Sequence, residues 1–134
     1  MDIIKEITRR GYRNIQCGVI SEIADIPAFK TMIRQSRLPL NYKGVYVFMA
    51  KNQDNIVDVI YVGSSKHIRR RLLSNPIVSS AIISGFKNIT VFYKHSDDHL
   101  FDEEFMIRKY QPEFNTQHKG WWCDIDTYDN SLSV

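Results

Sequence analysis

Apolar residues recur at helical spacing through the first third of the chain, then give way at Gly44 to runs of β-branched and aromatic residues. Ile3, Ile4 and Ile7, and later Phe29, Met32 and Ile33, stand among Arg and Lys at the spacing of one helix face, which predicts short helices over 1–13 and 25–37. Pro27 suits the first turn of the second, where a missing N–H costs nothing. Beyond a boundary at Pro39, GVYVFMA and VDVIYVG flank the polar turn KNQDN and predict a β-hairpin over 44–63. KHIRRRLLS sets Ile68, Leu72 and Leu73 on one side of an amphipathic helix, and PIVSSAIISG predicts another, closed by Gly85. NITVFYK over 88–94 reads as a third strand. The segment 97–111 reads as a helix with acids first and bases last, the sense a helix dipole prefers, and Pro112 stops it. The order β-β-α-α-β-α predicts a small α/β (α+β) fold, a three-stranded sheet flanked by helices. As a single domain it divides into a helical N-terminal extension (1–43), a core (44–117) and a tail (118–134).

Composition narrows the class. The 134 residues, 43% hydrophobic, suffice for one core and not two. Cys17 and Cys123 are too few for a disulfide scaffold and match no Cys/His zinc spacing, so a reduced, cytoplasmic setting is expected. No apolar run reaches the roughly 18 to 20 residues of a membrane span. The opening MDIIKEITRRGYR carries charges where a signal peptide needs its apolar stretch, so neither secretion nor a membrane is expected. A net charge of +3 conceals a gradient: eight basic against four acidic residues in 1–43, seven against two in 44–96, three against nine in 97–134. A basic body suits a polyanion such as nucleic acid, and the acidic segment is better placed to hold a metal ion than to touch phosphate.

Candidate chemistry gathers on a few residues. Tyr46 and Tyr61 occupy the two hairpin strands, Arg71 follows ten residues after Tyr61 on the next helix, and Glu103 and Glu104 lie on the acid-rich helix that leads through Pro112 to Asn115. With GVY at 44–46, YVG at 61–63, the helical Arg71, and Glu103 spaced from Pro112 and Asn115, the sequence resembles the GIY-YIG nuclease domain over about 44–117. The resemblance implies hydrolysis of DNA phosphodiester bonds. Such chemistry needs a base for water, a cation on the non-bridging oxygens and neutralisation of the leaving oxyanion. Glu103 offers the hard oxygen that Mg²⁺ prefers, with Mn²⁺ able to substitute, and Arg71 offers a planar donor fork that stays charged. The resemblance implies that Tyr46 activates water with Tyr61 in support, the reverse assignment staying open, and that Asn115 organises the site. Gly63 allows close approach of backbone or ligand. With Gly63 and Ser64, the neighbouring Lys66, Arg69 and Arg70 are the expected DNA contacts.

Two positions depart from the pattern. Ser64 stands where repair-type members tend to have Lys, as in phage homing members, and Asn75 stands where many members carry His. Plainer readings exist beside the chemical ones. Strand tyrosines pack cores, an arginine run is usually a solvated helix face, and Glu104 suits a surface. His67, His95, His99 and His118 lack metal-pair spacing and read as surface histidines. Trp121 and Trp122 suit packing more than base stacking, and Arg9, Arg10, Arg13, Arg34 and Arg37 suit helices that grip a DNA backbone or a partner subunit. The expected function is a Mg²⁺-dependent DNA endonuclease of phage or mobile-element type working with one metal. The alternative is a catalytically weak nucleic-acid-binding module, and a homodimer stays open.

Overall fold

Antiparallel pairing on both sides of one central strand organises the molecule. The structure, a computed structural model, describes residues 2–16, 18–39 and 41–117. Cys17 and the tail, with His118, Trp121, Trp122 and Cys123, lie outside the described residues. In chain order the elements are α1 (Ile3–Arg9), β1 (Arg13–Asn14), a single 3₁₀ turn (Ile23–Asp25), α2 (Ile26–Gln35), β2 (Gly44–Lys51), β3 (Val57–Ser65), α3 (Ile68–Ser74), α4 (Ile77–Ile83), β4 (Lys87–His95), α5 (His99–Tyr110) and α6 (Glu113–Gln117).

The sheet has four strands, not the expected three, in the order β1-β4-β2-β3. The extra strand comes from the extension: Arg13 and Asn14 pair with Tyr93 and Phe92, and Ile20 makes an isolated bridge to Ile89. Two residues are too few to show a period, so alternation could not reveal them. The helix expected over 1–13 ends early for the same reason. Asp2 caps α1 by accepting from the Ile4 N–H at 2.9 Å, and Gly11, at φ +98°, turns the chain so that Tyr12 can enter the core and Arg13 can enter the sheet. Asp25 fixes the start of α2 by accepting from the Ser21 and Glu22 N–H groups, each at 2.9 Å. Those two bonds hold its carboxyl below the usual carboxylate range.

β2 is buried along almost its whole length, so it reads as a continuous apolar run rather than an alternation. Its two faces serve two cores. Tyr46, Phe48 and Ala50, with Tyr61 and Val91, pack under α2, α3 and α4 through Phe29, Ile33, Ile68, Leu72 and Ile77. Val45, Val47 and Met49, with Val59 and Phe92, pack under α1 and α5 through Ile7, Tyr12 and Met106. The extension therefore supplies a strand and part of both cores. Phe48 has no exposed surface and touches the rings of both site tyrosines, with centroids 5.8 Å and 5.9 Å away. Phe48→Ala is expected to lower stability by about 3 to 5 kcal/mol, read as an earlier urea midpoint with an unchanged m-value.

Candidate active site

The hairpin register brings the two tyrosines onto one face. Tyr46 lies opposite Gly63 and Phe48 opposite Tyr61, but Met49 lies opposite Val59, so a bulge at Ile60 interrupts the ladder. Tyr46 and Tyr61 are fully buried, their ring centroids 6.1 Å apart. The Tyr46 ring lies across bare backbone: a Cβ built on Gly63 would come within 2.4 Å of the ring's Cζ and Oη. Only glycine admits the tyrosine there.

Ser64 and Asn75, the two positions that depart from the pattern the sequence resembles, both touch candidate reactive groups. Asn75, just past the end of α3, donates from Nδ2 to the Tyr46 hydroxyl at 3.0 Å. Ser64, next after Gly63, donates from Oγ to Glu103 Oε1 at 2.8 Å. A linked path thus runs from Asn75 through Tyr46, Gly63 and Ser64 to Glu103, joining α3, β2, β3 and α5. Sequence reasoning saw Asn75 only as a missing histidine. Its reach to a tyrosine 29 positions away had no local signal.

Asn115 grips the strand that carries Tyr61 and Gly63. Its Oδ1 accepts from the Val62 N–H at 2.8 Å, and its Nδ2 donates to the Val62 carbonyl at 2.9 Å. Arg71 is only 8% exposed on α3, whereas its neighbour Arg70 is exposed, so the two separate into an inbuilt side chain and a surface one. Arg69 donates from Nη2 to the Ser36 carbonyl at 2.6 Å and so ties α3 to the end of α2. Lys66 is half-buried just after β3. Glu104 is exposed and pairs with Arg108 at 2.7 Å along the helix.

One histidine reading is corrected. His99 is 7% exposed rather than on the surface, buried at the first position of α5 while the following Leu100 and Phe101 stay exposed. Neither ring nitrogen has a hydrogen-bond partner among the described residues. Burial, with Lys43 and Lys66 adding to it and Asp98 opposing, pushes its pKa below the ordinary value.

Glu103 is suited to a divalent cation of the hard, water-rich kind, for which one carboxylate together with waters and substrate oxygens is enough. Among the described residues no group of three or more His, Cys, Asp or Glu forms a closed cage. Nor is any described helix long and apolar enough to cross a membrane.

Compared with known proteins, the chain is 35% identical over 79 residues to the UvrABC system protein C of Dictyoglomus thermophilum, a match covering 55% of this chain and 12% of that protein. It therefore spans only a small part of that relative's length. No family model matches the sequence, and no solved structure matches it.

Two outcomes follow from the geometry. Gly63→Ala should displace the Tyr46 ring and cost about 1 to 3 kcal/mol, read as a changed near-ultraviolet tyrosine dichroism together with a lower melting temperature. His99 is harder to protonate folded than unfolded, so its contribution is full above about pH 6.5 and is lost progressively as the pH falls below that value. Melting temperature should drop across that interval, and His99→Phe should flatten the drop.

Proposed function

We propose that this chain is a divalent-metal-dependent endonuclease that hydrolyses DNA phosphodiester bonds with a GIY-YIG-type site. The observation that carries the reading is the hydrogen-bonded and packed path that links Tyr46 to Glu103 through Gly63 and Ser64. The partial likeness to UvrABC system protein C is consistent with it.

In this reading Tyr46 takes a proton from the attacking water. It would do so as the phenolate, its own proton first released to solvent; the Asn75 amide N–H already points at that oxygen and stabilises the charge that the proton from water then neutralises. Arg71 meets the scissile phosphate with a donor fork that cannot deprotonate, stabilising charge that grows in the transition state. Glu103 would hold Mg²⁺, kept in orientation by the Ser64 hydroxyl, and the bound ion would supply charge neutralisation at the phosphate oxygens. Asn115 fixes the strand beneath the site, and Tyr61 supports Tyr46 through ring packing. Lys66 and Arg70 would face the DNA backbone, whereas Arg69 already serves α2. Ser64 after the second-motif glycine favours the phage or mobile-element type.

The test is the conversion of supercoiled plasmid to nicked or linear forms. Wild type with Mg²⁺ should cut, and EDTA should abolish cutting. Glu103→Ala and Arg71→Ala should each lower the rate about 100- to 1,000-fold. Cutting that survives EDTA or Glu103→Ala would overturn the assignment. Tight DNA binding with no cutting in Mg²⁺ would move it to a binding module, the reading that neutral side chains at 64 and 75 favour.

A further inference from the structure

Beside the site, a groove of about 1180 Å³ runs along the β1 edge of the sheet, between α1 and the end of α2. Its volume exceeds the roughly 300 to 1,000 Å³ of a small-molecule cleft, and its lining suits something longer. Arg13 and Arg37 line it, both exposed, with Gln16, Gln35, Tyr42 and Tyr93, and no Asp or Glu is among its described lining residues. Tyr42 stands edge-on to Tyr93, centroids 5.6 Å apart, and both rings are half-buried, held from behind while still facing the groove.

Strand register relates the groove to the candidate active site. Strand pairing sets Gly63 opposite Tyr46, Tyr46 opposite Tyr93, and Tyr93 opposite Arg13, so one row crosses all four strands. Residues directly opposite each other share a face, and each step is about 5 Å. Tyr93 thus begins the groove one strand away from the tyrosine proposed to activate water.

The lining combines held aromatic faces with fixed positive charge and no negative charge. An unpaired nucleic-acid strand offers the matching pair, with bases to stack and phosphates to neutralise. A duplex keeps its bases stacked inside and would leave the tyrosines without a partner. We infer that this groove receives a single-stranded segment of nucleic acid leading to the site, so that the favoured substrate carries an unpaired stretch beside the cut. The inference rests on the nucleic-acid reading of the site, though not on its chemistry.

Binding can be measured without cleavage, in EDTA, by fluorescence anisotropy of a labelled thymidine oligonucleotide of about 12 nucleotides and of a blunt duplex of equal length. The single strand should bind at least about 10-fold more tightly than the duplex. Arg13→Glu with Arg37→Glu should weaken it about 10-fold or more and flatten its salt dependence. The charge-matched pair Lys51→Glu with Lys87→Glu, which face each other near the far end of β2 and β4, should change it less than about 3-fold. Photocrosslinks from a bromouridine-substituted strand should map to peptides containing Tyr42 or Tyr93. Equal affinity for duplex, equal losses in the two double variants, or crosslinks wholly outside the groove would overturn the inference. Groove-dependent binding without cutting in Mg²⁺ would support it while defeating the nuclease reading. Cutting that ignores Arg13→Glu with Arg37→Glu would defeat the groove alone.

Discussion

A tyrosine can lie flat in the middle of a sheet only where the neighbouring strand presents no side chain beneath it. Gly63 meets that condition for Tyr46, and much of the surrounding architecture follows from holding the two in register. β2 must be central, paired on both sides, so that Tyr46 cannot drift. Tyr61 shares the face of Gly63 by simple alternation, and the bulge at Ile60 turns Val59 to the opposite core. Phe48 then fills the space between the rings. The hairpin is thus both the centre of the hydrophobic core and the floor of the candidate site, which explains why its apolar pattern is so uninterrupted.

The site is also distinguished by what holds its polar atoms. Where repair-type members of the resembled family tend to have Lys after the glycine, and many members a His past the helical arginine, this chain has a hydroxyl and an amide. Both are short, uncharged donors that reach an oxygen expected to carry or gain negative charge. Neutral donors orient such an oxygen without adding a full positive charge of their own. Electrostatic help must then come from Arg71 and from whatever Glu103 binds.

Elements with several turns or pleats of consistent period were legible in the sequence, because burial repeats the signal along them: β2, β3, β4, α3 and α5 all fall within a few residues of their expected places. β1 was not, because its place is set by Tyr93 and Phe92 some eighty positions away and not by its own two residues. The short α6 was hidden for the same reason, its five residues following Pro112. Among candidate site residues, motif spacing pointed to Tyr46, Tyr61, Arg71, Glu103 and Asn115. The supporting contacts of Asn75 and Ser64, the link from Arg69 to Ser36, and the burial of His99 arise only when separate elements pack together. No pattern along one segment encodes them.

Asn115 carries a further consequence. β3 is an edge strand, nine residues long, and an edge strand presents unpaired N–H and C=O groups to any other chain that approaches. At Val62 both groups point away from β2 and are taken by one primary amide, which presents the donor and acceptor that an additional strand would bring. The side chain therefore occupies the position where a second molecule could extend the sheet. A residue that the sequence resemblance makes an organiser of the site thus also fills the hydrogen-bonding positions of one stretch of that edge.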